Sequence, residues 1–153
     1  MSYYKRTEAA HVDGTPVFQT EADRAAERIV ADSIEAAWRC RLSWFGCLAA
    51  IDWYAERDGR VVGVLELKSR SHESSQFPTV FLNVRKWLAL QLAAIGLCCP
   101  AIFVVKFTDG IRWIPVRDIE AGQARVMGCV RMVKSASDHE PVIDVPIAAM
   151  KRL

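Results

Sequence analysis

The sequence predicts an α/β domain in which helices pack on a mixed β-sheet. Helical and strand-like patterns follow one another in the order helix, three strands, helix, two strands. Two Asp-Gly pairs, at 58–59 and 109–110, each separate two strand-like runs, as expected for β-hairpins. The 153 residues are 52% hydrophobic, which is enough to form a core. We therefore expect a single domain over 1–153, with a lead-in at 1–19 and a less regular tail at 117–153.

The first element is predicted to be a helix from about Thr20 to about Arg39. Thr20 and Asp23 form a capping-box pattern at its start, with Asp in place of the usual Glu. Apolar residues recur at helical spacing and form a stripe made of Val30, Ile34 and Trp38, widened by Ile29 and Ala37. The stripe leads back to Glu27, for which the simplest interpretation is a solvated acid that the helix dipole stabilises.

A β-hairpin is predicted after this helix. The stretch RLSWFGCLAA, residues 41–50, is expected to carry the chain through a turn near Gly46. Two strands then follow, Ala50 to Glu56 and Arg60 to Lys68, with Asp58-Gly59 between them.

The register of this hairpin decides whether Asp52 and Glu66 share a face, because side chains alternate along a strand. A loop of Asp58-Gly59 alone would turn Asp52 away from Glu66. A three-residue loop that includes Arg57 would place Asp52 opposite Val64 and on the same face as Glu66. A bulge elsewhere in the hairpin would serve equally, so both alternatives stay open.

After the hairpin, further strands and a second helix are predicted. A polar loop at 69–78 comes first. It is followed by a short strand at 79–84, a helix from Arg85 to about Leu97, a buried strand from Ala101 to Phe107, and a strand at 111–116. In the tail we expect a strand at 130–134, a loop at 135–141 and a short terminal helix at 147–153.

One uncharged run, Trp87 to Val105, has the length of a membrane span. Gly96 and Pro100 divide it into an Ala/Leu-rich half and a β-branched half, so a helix followed by a buried strand explains it better. We expect no membrane association, and a membrane-associated protein is only a third alternative for the function.

Charge and cysteine usage narrow the class of protein. The 20 basic and 18 acidic residues give a net charge of +2, which does not by itself indicate a nucleic-acid binder. The five cysteines have no C-x-x-C spacing, and the N-terminus has no secretory pattern. We therefore expect reduced, mostly buried thiols in a cytoplasmic protein.

The residues with chemical potential are Asp52, Glu66 and Lys68. Two carboxylates close together repel, and a hard divalent cation such as Mg²⁺ relieves that repulsion. A lysine beside them is useful where an anion or a water molecule must be handled, and a phosphate ester supplies that anion. The alternative is a solvent-facing charge cluster across two strands, which contributes little energy.

These letters resemble a known family. Ile51-Asp52, thirteen intervening residues and then Glu66-Leu67-Lys68, with Glu27 on the preceding helix and Lys86 on the following one, resemble the PD-(D/E)xK nuclease superfamily. The restriction-endonuclease-like core of that family runs helix, three strands, helix, strand, which is the order predicted here. The stretches FPTVFLNVRKWL and FVVKFTDGIRW are similar to small phage-type members. Ile51 replaces the Pro of the family motif.

The resemblance implies a metal-dependent nuclease that leaves 5′-phosphate ends. Asp52, Glu66 and the backbone carbonyl of Leu67 would bind Mg²⁺, for which Mn²⁺ is a substitute. Lys68 would orient or activate the attacking water and stabilise developing charge on the phosphate.

Helix residues would complete the site. The resemblance implies that Glu27 corresponds to the helix carboxylate that binds a metal-bound water or a second ion in many members. It also implies that Lys86 corresponds to a Lys or Gln that members carry on the second helix near the site. Arg85 and Gln91 are weaker candidates. A rim of basic residues is also expected to contact phosphates, and it consists of Arg70, Arg85, Lys86, Lys106 and Arg112.

The expected partner is nucleic acid, with DNA as the substrate. A branched-DNA or junction resolvase that works as a homodimer is one specialisation, since paired cuts need two active sites. The loop at 70–78 lies just beyond Lys68 and could close over substrate. The alternative from a different class is a non-catalytic nucleic-acid-binding or assembly protein that keeps a nuclease fold.

Overall fold

The computed structural model describes residues 21–45, 50–120, 122, 125–127 and 140–153. The predicted lead-in, the cap at Thr20 and the predicted strand at 130–134 lie outside these residues. Cys47 and Cys129 also lie outside them.

Two helices and nine strands make up the described part. The helices are α1 (Glu21–Trp38) and α2 (Val84–Leu97). The strands are β1 (Arg41–Trp44), β2 (Trp53–Arg57), β3 (Arg60–Ser69), β4 (Thr79–Asn83), β5 (Ala101–Phe107), β6 (Gly110–Pro115), β7 (Arg125–Met127), β8 (Glu140–Pro146) and β9 (Lys151–Arg152). Two single-turn 3-10 helices lie at Val116–Asp118 and Ile147–Ala149.

The strands form two sheets. The larger has six strands in the order β1-β2-β3-β5-β6-β9, and the smaller has three in the order β4-β8-β7. Only β3 and β5 pair in parallel, with α2 in the crossover between them, and the other described pairs are antiparallel. The predicted α/β class with a mixed sheet and flanking helices is therefore confirmed.

Helix α1 buries a narrower stripe than the sequence predicts. Val30, Ala31 and Ile34 are buried, but Ile29 is 64% exposed and Ala37 is exposed too. Only one face of α1 meets the sheet, and Ile29 points away from it. The expected widening of the stripe is therefore wrong.

The β2–β3 hairpin combines a tight turn with a bulge. Asp58 and Gly59 have φ values of 51° and 72°, which suit a two-residue type I′ turn. The register shifts by one residue between Ala55 and Glu56. The pairs are Arg57 with Arg60, Glu56 with Val61, Ala55 with Gly63, Tyr54 with Val64 and Trp53 with Leu65. The three-residue loop is wrong, and the alternative of a bulge elsewhere is confirmed.

Three other stretches differ from the expected elements. Residues 41–44 form β1, antiparallel to β2, a strand that the sequence did not predict, and the turn expected near Gly46 lies outside the described residues. Glu140 and Pro141 belong to β8 instead of a loop. The terminal helix is limited to Ile147–Ala149, after which the chain returns as β9.

The two faces of the larger sheet carry different helices. On one face α1 packs on Leu65, Leu67 and Val104, together with Trp53 and Leu42. On the other face Leu90 of α2 packs with alternate residues of β3 and β5, namely Val64, Phe103, Val105 and Phe107. Each such buried side chain contributes about 1.5–3 kcal/mol by leaving water. Because Glu66 and Lys68 alternate with Leu65 and Leu67, they lie on the α2 face.

No helix in the described part is long and apolar enough to cross a membrane. The run from Trp87 to Val105 divides into α2 and β5, as predicted, and Cys98 ends α2 in the left-handed conformation. Cys40, Cys98 and Cys99 are free thiols. Cys98 is exposed, which corrects the expectation that the thiols are mostly buried.

Candidate functional site

The candidate site lies on the α2 face of the larger sheet. Asp52 directly precedes β2, and extending the observed register places it opposite Glu66. Lys68 follows two residues later on the same side of β3. Asn83 ends β4 and Lys86 lies in the first turn of α2. One hairpin and one strand-to-helix junction therefore supply the whole group.

Asp52 and Glu66, called the acid pair below, share one lysine. Lys86 Nζ lies 2.6 Å from Asp52 Oδ1, to which it donates a hydrogen bond, and 2.9 Å from Glu66 Oε2. The Glu66 contact is an ion pair, and no other described group gives the buried Glu66 Oε2 a hydrogen bond of good geometry.

Burial dominates the electrostatics of the acid pair. Glu66 is 5% exposed, and this burial, together with the charge of Asp52, raises the pKa of Glu66 to about 8 against the opposing effect of Lys86. Burial alone would lower the pKa of Lys86, but Glu66 and Asp52 raise it. Lys86 therefore stays protonated and is the counter-ion of the pair.

Lys68 points to β4 rather than into the acid pair. Its Nζ donates hydrogen bonds to Asn83 Oδ1 at 3.2 Å and to the Phe81 carbonyl at 3.3 Å, and it lies 4.4 Å from the centroid of the Phe81 ring. Burial lowers the pKa of Lys68 to about 8, although the charge of Glu66 opposes this. Lys68 is therefore a positioned cation beside the acids.

Arg70 extends the row of charged side chains along β3. Its guanidinium lies 4.8 Å from the centroid of the Phe81 ring, so Phe81 contacts two cations. Burial lowers the pKa of Arg70, and its Nη2 is buried without a hydrogen-bond partner.

The loop after β3 is fixed at Ser74. The Ser74 amide donates to Asp109 Oδ1 at 2.7 Å, and its hydroxyl donates to Asp109 Oδ2 at 2.6 Å. Arg112 donates to Ser74 Oγ at 2.8 Å, so Arg112 already has a structural partner. Lys106 is exposed on β5. Of the predicted rim, Lys86 and Arg70 lie beside the acid pair and Lys68.

Glu27 is on α1, whose buried stripe packs on the opposite face of the sheet. The described residues contain no group of three or more Asp, Glu, His or Cys side chains that could hold a metal, so Glu27 does not join the acid pair in such a group. Gln91 lines a separate cavity with Cys98, Cys99 and Pro100. Arg85 lies beside Lys86 in the first turn of α2.

The acid pair fits a hard divalent cation. Mg²⁺ is commonly held by one or two carboxylates and several waters, and Asp52, Glu66 and the Leu67 carbonyl are an oxygen donor set of this kind. The buried Glu66 Oε2, which lacks a hydrogen bond and lies beside a second carboxylate, is the observation in favour of this fit. The cation would replace the positive charge that Lys86 supplies.

The sequence prediction did not include Asn83. An Asn at a strand-to-helix junction is normally interpreted as a helix cap. Its contact with Lys68 on β3 cannot be recognised from the local sequence. Its proximity to Lys68 follows from the position of β4, which belongs to the smaller sheet.

A family model described as "Phage putative PDDEXK endonuclease" matches residues 14–153. Among solved structures, the chain is similar to Archaeoglobus fulgidus Hjc, a Holliday junction resolvase from an archaeal hyperthermophile. The identity is 15% and the TM-score 0.55, over 84% of this chain and 92% of that one. No curated protein matches the sequence significantly. The resemblance and the restriction-endonuclease-like core expected from the sequence are confirmed.

Proposed function

Since the chain belongs to the phage PDDEXK endonuclease family, we propose that it is a metal-dependent nuclease that hydrolyses phosphodiester bonds in DNA. The observation that carries this proposal is the acid pair, in which Glu66 is buried and both carboxylates contact Lys86. Lys86 bridges Asp52 and Glu66, and Lys68 lies two residues along β3 from Glu66. A solvent-facing charge cluster would not bury Glu66 to 5% exposure.

Asp52, Glu66 and the Leu67 carbonyl would hold the cation, with Mg²⁺ as the physiological ion and Mn²⁺ as a substitute. When bound, this ion supplies Lewis-acid polarisation of the phosphate and lowers the pKa of a water molecule.

The chain's own cations would act on the substrate. Lys68 is held in place by β4, and with a pKa of about 8 it is mostly protonated near neutral pH. Its one remaining N–H would donate to a phosphate oxygen and stabilise the charge that develops on the phosphate. Lys86, which lies between Asp52 and Glu66, would contact the same phosphate from the first turn of α2. Arg70 would contact the flanking backbone.

A branched substrate is our more specific proposal. The structural similarity to Hjc, itself a Holliday junction resolvase, supports it at the level of the fold. The alternative, a non-catalytic nucleic-acid-binding or assembly protein, does not explain why a buried carboxylate pair is kept beside two lysines. We propose that the protein acts in the cytoplasm, in keeping with its free thiols.

We further propose that two copies associate through α2. Leu88, Leu92 and Ile95 are 49%, 69% and 73% exposed and lie on one side of the helix. After Lys86 this helix carries no charged residue, so two copies could meet there without repulsion. Sedimentation should give a dimer for the parent and a monomer for a Leu92→Glu, Ile95→Glu double variant.

The test of the function is a substrate panel. Purified protein is incubated with single-stranded, duplex, flapped and four-way DNA and with RNA, in Mg²⁺, Mn²⁺ or chelator. We expect cleavage of branched DNA with either metal, no cleavage in chelator, and products that ligase rejoins through their 5′-phosphates. Lys68→Ala should be inactive. Binding without cleavage on every substrate would reject the nuclease and favour the binding protein.

A further inference from the structure

Asn83 has an unusual position for its residue type. It is the residue that precedes α2, with φ −63° and ψ 136°, and Asn is among the best residues for capping a helix at this place. Its side chain makes no capping hydrogen bond. Instead its Oδ1 accepts a hydrogen bond from Lys68 Nζ at 3.2 Å. The only asparagine in the sequence therefore binds a lysine of the candidate site and does not cap the helix with its side chain.

The contact leaves Lys68 with a defined direction. A lysine ammonium has three N–H donors. Asn83 Oδ1 accepts one and the Phe81 carbonyl accepts a second at 3.3 Å, while the Phe81 ring covers the ammonium at 4.4 Å from its centroid. With two donors fixed on β4, the tetrahedral ammonium points its third donor in one direction only.

The chemistry of the acceptor matters as much as its position. An amide oxygen holds the ammonium without neutralising it, whereas a carboxylate at the same place would form an ion pair and repel a phosphate. Lys86 follows Asn83 by three positions, so the junction of β4 and α2 holds the Lys68 ammonium at Asn83 and supplies the second ammonium from Lys86.

We propose that Asn83 is the positioning residue for Lys68, acting through that lysine on the scissile phosphate. This inference rests on the proposed nuclease function and adds the group that aims its lysine. The smaller sheet thereby takes part in the site, because β4 carries both acceptors of Lys68.

The experiment compares Asn83→Ala, Asn83→Asp and the control Thr79→Ala on the DNA substrate that the parent cleaves best. For Asn83→Ala we expect kcat to fall about 10- to 100-fold, as for other partners that orient an active-site group, with little change in KM. Asn83→Asp keeps the acceptor but adds a negative charge, so its KM should rise. Thr79→Ala removes a polar side chain from the same strand and should keep the parent kinetics.

A second measurement separates positioning from folding. Lys68→Met, Asn83→Ala and their double variant are unfolded with urea in the absence of metal. Because the two side chains are in contact, the double variant should lose less stability than the single losses added together. Additive losses would overturn the inference, even if Asn83→Ala were also slow.

The outcomes distinguish this inference from the proposed function. If the parent cleaves DNA and Asn83→Ala keeps the parent kcat, the inference is wrong and the nuclease stands. If the parent cleaves no substrate, the proposed function fails and the positioning role of Asn83 in catalysis fails with it, whatever the unfolding measurements show.

Discussion

Lys86 Nζ donates a 2.6 Å hydrogen bond to Asp52 Oδ1 across 34 positions of sequence. This contact joins the first turn of α2 to the residue that precedes β2, and the same ammonium lies 2.9 Å from Glu66. The hairpin and the helix are therefore held together through charged groups at the point where the proposed chemistry takes place.

Replacement of one carboxylate by an amide should stop catalysis without unfolding the protein. Asp52→Asn keeps the shape of the side chain but removes a proposed metal ligand. We expect cleavage to fall by more than about 100-fold, beyond the usual effect of groups that only support a ligand. Circular dichroism checks that Asp52→Asn is folded, and the cleavage rate in Mg²⁺ measures its loss of activity. Asp32→Asn, an exposed acid on α1, is the control, and parental activity in Asp52→Asn would contradict the assignment.

Glu66 should make the metal-free protein less stable as the pH rises. Its pKa is about 8 in the folded chain, well above the ordinary value of 4.5, so the folded state binds the proton more tightly than the unfolded state. The resulting stability is fully present below about pH 4.5 and is lost as the pH approaches 8. Glu66→Gln does not titrate and should have a flatter curve of Tm against pH. Scanning calorimetry in chelator tests this, with Glu56→Gln as the control. Parallel curves for parent and Glu66→Gln would refute it.

Loss of the shared cation should be repaired by metal. Lys86→Met keeps much of the side-chain length but leaves the acid pair without its counter-ion. Breaking a buried ion pair costs about 3–5 kcal/mol, and because Asp52 and Lys86 are each about one-fifth exposed we expect about 1–3 kcal/mol here. Mg²⁺ should then stabilise the variant more than it stabilises the parent. Urea unfolding with and without Mg²⁺ measures both effects. Lys106→Met serves as the control. If Mg²⁺ stabilised the parent and Lys86→Met equally, the metal would not bind at the position of the Lys86 ammonium.

The Ser74 contact should stabilise the loop that follows β3. Ser74→Ala removes the hydroxyl that donates to Asp109 and accepts from Arg112. We expect a loss of about 1 kcal/mol in the free energy of unfolding. The neighbouring exposed Ser75→Ala should have no measurable effect. An unchanged urea midpoint for Ser74→Ala would mean that the loop is held by other contacts.

The sequence predicts those elements whose signal is local. Asp58-Gly59 predicts the hairpin, and the break at Gly96 and Pro100 predicts that α2 and β5 divide one apolar run. Strand β1 was missed because it has four residues and is recognisable only through its pairing with β2. Strand β8 was missed because prolines at 141 and 146 interrupt its pattern, although an antiparallel strand tolerates them at its ends.

The candidate site also has one part that the local sequence predicts and one part that depends on tertiary packing. A common face for Asp52 and Glu66 follows from the period of two once a bulge is allowed, and this could be predicted. Which lysine meets the acids could not, because it depends on how α2 and β4 pack on the sheet. Lys86 contacts the acid pair, while Lys68 contacts Phe81 and Asn83.

The first turn of α2 lacks the groups that usually stabilise the start of a helix. It has no acidic residue, Arg85 and Lys86 lie at the positive end of the helix dipole, and Asn83 does not cap it. Routine stabilisation of this protein would place an acid at 85 or 86 and restore the cap at 83. Each of these changes would remove or oppose a group of the site. The first turn of α2 is thus a region that thermostability engineering should leave unchanged.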